Sequence, residues 1–184
     1  MGTMYEKIID VLENNGPTNL TSLYEELNRH SMENHDSLIA MSSIKSVLSR
    51  KKDLFYVRED IVSIHPEKDI KKMVVDLRIN PFQAFSLHID FWKENYSIQD
   101  WSLHPIVYPP VFHYISSDQY LDLKKELYRT KIWDWTSSDP QNDSIYTVCL
   151  YTLNSSYLYK SSDMEGKEWK QLKKIISMFT NLDR

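Results

Sequence analysis

The chain has 184 residues, of which 41% are hydrophobic and 12% aromatic, a composition that builds packed cores and excludes an intrinsically disordered protein. No run approaches the roughly 18 consecutive apolar residues that a transmembrane helix needs. Cys149 is the only cysteine, which excludes an internal disulfide, and the first residues lack a signal-peptide pattern. We therefore expect a cytoplasmic protein.

Charge is distributed unevenly along the sequence. The net charge is −4, and residues 1–69 carry 8 Lys and Arg against 12 Asp and Glu. Within this acidic part, residues 41–58 carry five basic residues against Asp53 alone. A basic face on an acidic domain steers an anionic partner towards one surface. A charged face that only contacts solvent gives the same pattern, so charge alone leaves both interpretations open.

Helical periodicity dominates the first fifty residues. Apolar residues at helical spacing predict a first helix over Tyr5–Asn15, which Gly16-Pro17 ends. Asn19 is a suitable N-cap for a second helix that begins with Leu20. After the polar loop Ser31–Ser37, the pattern predicts a third helix over Leu38–Arg50.

The periodicity changes after the third helix. Phe55–Arg58 and Ile61–Ile64 are short aromatic and β-branched runs, separated by the two acidic residues Glu59-Asp60. Two such runs joined by a short polar segment predict a β-hairpin. An acidic turn at the tip of this hairpin would repel a phosphate backbone.

Residues 5–67 resemble the winged helix-turn-helix superfamily, and within it the HARE-HTH type related to the N-terminal domain of bacterial RNA polymerase delta subunits. The matching features are Gly16-Pro17, the segment LYEEL at Leu23–Leu27, the segment SVLSR at Ser46–Arg50 and the strand Phe55–Arg58. The resemblance implies a winged-helix domain over residues 1–67, made of three helices and a two-stranded wing. It also implies duplex DNA as the partner and a dimer as a common form.

The remaining sequence predicts a connector over residues 68–80 and a small α+β domain over residues 81–184. Aromatic and apolar residues at spacings of 3, 4, 3 and 4 from Phe82 to Tyr96 predict a helix with one apolar face. Further helices are predicted from Ser117 and after Gly166. The predicted strands are Val111–Ile115, Ile145–Leu153 and Ser156–Ser161. The whole chain is thus predicted as α+β, with an antiparallel hairpin packed by helices in its second domain.

Catalytic motifs are weak throughout the sequence. No glycine-rich phosphate loop occurs, and Cys149 lies within an apolar run that predicts a buried, unreactive thiol. His88, His104 and His113 could converge on a metal together with Asp90, but isolated histidines are more often structural. We therefore predict no enzyme activity, no metal and no cofactor.

Two binding functions follow from these patterns. The favoured one is a regulatory protein that binds duplex DNA. Its base-contacting side chains would be Ser42, Ser43, Lys45, Ser46, Ser49 and Arg50, and its phosphate-contacting side chains Lys51, Lys52 and Arg58. The alternative is a non-catalytic module that binds a protein, as an inhibitor or accessory factor of the kind encoded by a phage or mobile element. Its candidate anchors are Trp101, Trp133 and Trp135, which could instead fill the sides of a core.

Overall fold

A computed structural model of the protein describes residues 2–33, 37–80, 83–101, 109–137 and 144–180. The chain divides into two compact units, Met1–Asp69 and Ile70–Arg184. Over the described residues, the first unit contains three helices and a three-stranded antiparallel sheet. The second contains two α-helices, a short 3₁₀ helix and a six-stranded antiparallel sheet. None of the described helices is long and apolar enough to cross a membrane.

Helix α1 (Met4–Asn15) is fixed at both ends. At its start, the Thr3 side chain accepts a hydrogen bond from the Glu6 backbone N–H, and the Glu6 carboxylate accepts one from the Thr3 N–H at 2.8 Å. This reciprocal pair satisfies two backbone donors that the helix leaves without partners. At its end, Gly16 adopts φ +72°, a conformation that glycine reaches without a Cβ clash.

Helix α2 (Leu20–Glu33) begins as the sequence predicts, because the Asn19 Oδ1 accepts a hydrogen bond from the Thr21 N–H at 2.9 Å. Helix α3 (Met41–Arg50) follows after the second loop. The three helices and the adjoining sheet bury one small apolar core. Its most completely buried members are Ile8, Ile9, Leu23, Leu27, Ile44 and Val62.

The predicted winged helix with a two-stranded wing is wrong, because the hairpin belongs to a three-stranded sheet. Strands β2 (Phe55–Arg58) and β3 (Ile61–Ile64) pair with each other, and β3 pairs on its other side with β1 (Thr18–Asn19). The cause lies in Gly16-Pro17, since proline cannot continue a helix and the chain after it is extended. Sequence periodicity cannot reveal a strand of two residues.

The second unit is built on a sheet with the strand order β7-β6-β5-β4-β8-β9. Each neighbouring pair of strands is antiparallel. The strands are β4 (Ile70–Asn80), β5 (Gln83–Asp90), β6 (Asn95–Asp100), β7 (Phe112–Tyr114), β8 (Tyr146–Thr152) and β9 (Ser156–Ser161). The prediction of a small domain with one hairpin packed by helices is therefore wrong here too.

Two predicted segments account for this error. The segment assigned to a connector, residues 68–80, contains all of β4, the strand that pairs with both β5 and β8. The predicted aromatic helix, from Phe82 to Tyr96, covers β5, a loop and only the first two residues of β6. Phe85 and Ile89 fit the helical spacing, but Phe85, Leu87 and Ile89 also alternate with polar residues at the period of a strand. Phe82, the first residue of the predicted aromatic helix, lies outside the described residues.

Helices α4 (Ser117–Thr130) and α5 (Lys167–Ile176) form the second layer of this unit. The Lys174 ammonium donates to the Glu126 carboxylate at 2.8 Å and so joins the two helices. The Trp169 ring of α5 lies 5.1 Å from the ring of Tyr146, which pairs in register with Leu77. The helices thus lie on the apolar face of the sheet. That face buries Met73, Val75, Leu77, Leu87, Ile89, Val148 and Leu150.

Candidate functional site

Helix α3 presents one continuous polar face. Ile44, Val47 and Leu48 are buried in the first unit, and the polar residues occupy the other side of the helix. At about 100° per residue, these polar residues span an arc of about 160°. We call this surface the α3 face. It consists of Ser42, Ser43, Lys45, Ser46, Ser49 and Arg50, all of them exposed.

The α3 face combines small hydroxyl side chains with two cations and contains no acidic residue. Its four serines leave the helix backbone accessible to a close partner, and each hydroxyl can donate or accept a hydrogen bond. The Arg50 Nε donates to the Ser46 carbonyl at 3.3 Å, so the start of that side chain lies along the helix. The chemistry of the face therefore suits a polar, anionic surface.

A groove of about 530 Å³ lies between α3, the first residue of α2 and the β2–β3 hairpin. Lys45, Ser49 and Lys52 line it from the side of α3, and Tyr56 and Asp60 line it from the hairpin. The groove therefore has cations along one side and a carboxylate on the other. This arrangement makes the α3 side of the groove attractive to an anion and the hairpin side repulsive.

The acidic tip of the hairpin is a tight two-residue turn. Glu59 and Asp60 have φ values of +50° and +63°, as a type I′ turn requires at its two central residues. Both side chains are exposed, and the Glu59 carboxylate lies 3.7 Å from the Arg58 Nε. The charge of Arg58 is thus partly balanced by its own neighbour.

Eight of the nine predicted nucleic-acid-binding residues are exposed, and the exception is Lys51. Lys51 is half-buried, with its ammonium 5.2 Å from the centre of the Tyr5 ring. Such a contact favours a cation over the face of the ring. Lys51 is therefore directed towards α1, whereas Lys52 lines the groove.

The hairpin also exposes apolar side chains that the sequence analysis did not single out. Tyr56, Val57 and Ile61 are 44%, 47% and 41% exposed. The strand register places Tyr56 and Ile61 on one face of the hairpin and Val57 on the other, and we call Tyr56 and Ile61 the hairpin patch. The signal for it was present in the sequence, because a four-residue strand with three successive aromatic or β-branched residues cannot bury all of them on one side.

The three candidate tryptophan anchors differ in their surroundings. Trp133 lies 6.4 Å from the Tyr128 ring and Trp135 lies 4.9 Å from the Tyr159 ring, measured between ring centres. Both are half-buried, so their rings contribute to packing within the second unit. Trp101 is 43% exposed, and its Nε1–H donates to the Ser86 Oγ at 2.8 Å.

The candidate metal ligands are not brought together in the described part of the chain. The strand register places His88 and His113 on opposite faces of the sheet, and His104 lies outside the described residues. Across the described ranges, no three His, Cys, Asp or Glu side chains form a group that could hold a metal. Burial, together with the nearby Asp76 carboxylate, raises the pKa of the Cys149 thiol. A raised pKa lowers the fraction of the thiol that is present as the reactive thiolate.

Comparison of the chain with protein-family models, with characterised proteins and with solved structures finds no match. The resemblance of residues 5–67 to winged helix-turn-helix proteins has no further support from these comparisons. Functional inference therefore depends on the surfaces of the two units and on their chemistry.

Proposed function

We propose that this chain is a regulatory protein that binds duplex DNA through the α3 face. The observation that carries the proposal is the continuous exposure of six polar and basic side chains with no acidic residue among them. The major groove of B-DNA is about 12 Å wide and admits one α-helix. The serines allow this helix to approach the bases closely, and Lys45 and Arg50 provide the positive charge.

The side chains of this surface have separable roles in the proposal. Arg50 and the serine hydroxyls contact base edges, where arginine favours guanine through its two parallel donors. Lys52 and Arg58 contact phosphates on either side of the DNA major groove. Glu59 and Asp60 oppose general phosphate affinity, so we expect weak binding to unrelated sequences and stronger binding to a selected one. The proposed activity is binding without catalysis.

The decisive experiment compares duplex binding by two charge-reversal variants. Lys45→Glu/Arg50→Glu alters the α3 face, and Lys167→Glu/Lys170→Glu makes the same charge change at two exposed residues of the second unit. We expect the first variant to bind a selected duplex at least about tenfold more weakly at low salt, because it loses the base contact of Arg50, which is typically worth about 1–3 kcal/mol, and places two negative charges against the DNA. The second variant should bind nearly as the native chain does.

The DNA proposal is contradicted if the native chain binds no duplex at low salt. It is also contradicted if the two variants bind equally well, because net charge alone would then explain the affinity. Selection from a random duplex pool before these measurements provides the sequence to be tested.

The hairpin patch supports a second candidate, a protein partner that docks on the hairpin tip. Tyr56 and Ile61 offer apolar area on one face of the hairpin beside Glu59 and Asp60, which suits a partner with an apolar centre and a basic rim. Capture with the native chain from its own cells, after nuclease treatment, tests this candidate. A stoichiometric protein that the Tyr56→Ala/Ile61→Ala variant fails to retain supports it, and unchanged retention counts against it.

We further infer a cytoplasmic location, because a DNA-binding regulator acts there in bacteria and the single Cys149 suits a reducing compartment. A homodimer would read a site with two-fold symmetry. Light scattering of the native chain, with and without the selected duplex, measures its oligomeric state directly.

A further inference from the structure

The second unit carries a trough on the sheet face opposite to α4 and α5. Two rows of side chains cross strands β4, β5, β6 and β7 in register, and neighbouring strands lie about 4.8 Å apart. The first row consists of Lys72, Asp90, Asn95 and Tyr114. The second row consists of Val74, His88, Ser97 and Phe112.

The trough has an aromatic wall, a low floor and a basic side. The wall is formed by Phe112 and Tyr114, which are 62% and 88% exposed. The floor is formed by the short side chains of Asn95 and Ser97, and Ser97 is buried at 4% exposure. The trough has a volume of about 450 Å³, which lies within the range of about 300–1,000 Å³ typical of small-molecule sites.

The charged side chains favour an anion. The Asp90 Oδ2 lies 3.3 Å from the Lys72 ammonium, and its Oδ1 accepts hydrogen bonds from the backbone N–H groups of Trp92 and Lys93 at 3.0 and 3.1 Å. The carboxylate is thus held by three donors of the protein itself. Lys93 also lines the trough, so two lysines face one carboxylate there.

We propose that this trough binds a nucleotide, meaning a nucleobase that carries a phosphate, either free or within a single strand. An exposed aromatic ring provides a stacking surface for any base, and stacking on aromatic side chains is the usual source of affinity for single strands. The Asn95 amide and the Ser97 hydroxyl can form hydrogen bonds with base edges. Lys72 and Lys93 supply the charge for the phosphate. This inference concerns the second unit and does not depend on the proposed function of the first.

The test uses the full chain and two probes, a fluorescein-labelled short oligothymidylate and unlabelled thymidine monophosphate. The key variant is Phe112→Leu/Tyr114→Leu, which keeps apolar bulk but removes both aromatic rings. We expect it to bind the oligonucleotide about tenfold or more weakly, because one stacked base typically contributes about tenfold in affinity. Since both rings are exposed, the thermal midpoint of the variant should match that of the native chain.

The probes separate the two sources of the ligand. Displacement of the oligonucleotide by thymidine monophosphate assigns the trough to a free nucleotide, and tight oligonucleotide binding without such displacement assigns it to a single strand. The proposal is overturned if the native chain binds neither probe at low salt or if the leucine variant binds as tightly as the native chain. Loss of oligonucleotide binding in Lys45→Glu/Arg50→Glu would also overturn it, because the α3 face would then be the site.

Discussion

The buried amide of Asn28 forms hydrogen bonds with both backbone groups of Ile39, just before α3 begins. Its Oδ1 accepts from the Ile39 N–H at 2.7 Å, and its Nδ2 donates to the Ile39 carbonyl at 3.2 Å. Asn28 is 6% exposed and Ile39 is 8% exposed, so water competes little for these groups. A single side chain of α2 thereby fixes the chain that leads into the α3 face.

Replacing this amide should destabilise the first unit. We expect Asn28→Ala to lower the free energy of unfolding by about 1–3 kcal/mol, because it leaves a buried N–H and a buried C=O without their partner. Urea unfolding, followed by circular dichroism, measures the change. Glu25→Ala is the matched control, since Glu25 lies exposed on the same helix, and it should remain near neutral. Equal stability of the two variants would contradict the assigned role of Asn28.

At the residue scale, the sequence predicts which side chains are exposed where the apolar spacing within a single helix is sufficient to do so. The α3 face follows directly from the spacing of Ile44, Val47 and Leu48, since the remaining positions must point outward. The role of Asn28 could not be predicted in this way, because its partner Ile39 belongs to a different segment. A polar residue in a helix also suggests a solvent-exposed position until its partner is known.

At the scale of elements, the turn between β2 and β3 places two acidic residues in the left-handed backbone conformation, which glutamate does not favour. Glu59 and Asp60 both have positive φ values, whereas Asn-Gly is the preferred pair for such a turn. The same two residues carry the negative charge at the hairpin tip. Glu59 and Asp60 therefore determine both the stability of the turn and the charge of the hairpin tip.

Glu59→Asn/Asp60→Gly should stabilise the first unit by up to about 1 kcal/mol, because glycine and asparagine adopt positive φ more readily than glutamate. If α3 binds DNA, the variant should also bind duplexes more tightly, since two repulsive charges are removed. Thermal unfolding measures the first effect and duplex titration the second. Glu59→Gln/Asp60→Asn removes the charges with less change in backbone preference, so it should raise affinity with little gain in stability. A destabilised Asn-Gly variant would contradict the turn assignment.

The strands of the second unit show where periodicity misleads. In the sequence QAFSLHID, Phe85 and Ile89 are four residues apart, a spacing that lies on one side of a helix and also on one face of a strand. Trp92 continues the helical pattern but lies in a loop and is 70% exposed. The trough could not be predicted from the sequence for a further reason. Its two rows of side chains come together only through the pairing register of four strands.

At the scale of the whole molecule, the two compact units differ in how much core they can form. A domain of about 60 residues buries only about 60% of its unfolded surface, and larger domains bury more. We expect residues 70–184, expressed alone, to unfold cooperatively and residues 1–69 alone to be only marginally stable. Near-ultraviolet circular dichroism and amide proton spectra of the two fragments test this. A larger fragment without dispersed amide signals would contradict the division into two units.

The strand order of the larger unit also dictates a sequence of events during protein synthesis. Strand β4 pairs with β5, which follows it directly, and with β8, which leaves the ribosome only after β5, β6, β7 and α4. At about 5–20 residues per second, one edge of β4 stays unpaired for an interval on the order of several seconds. Throughout that interval, Met73, Val75 and Leu77 lack the neighbouring side chains of β8 that help to bury them in the folded protein. The nascent chain therefore exposes an open apolar sheet to chaperones and to neighbouring nascent chains until Tyr146–Thr152 is translated.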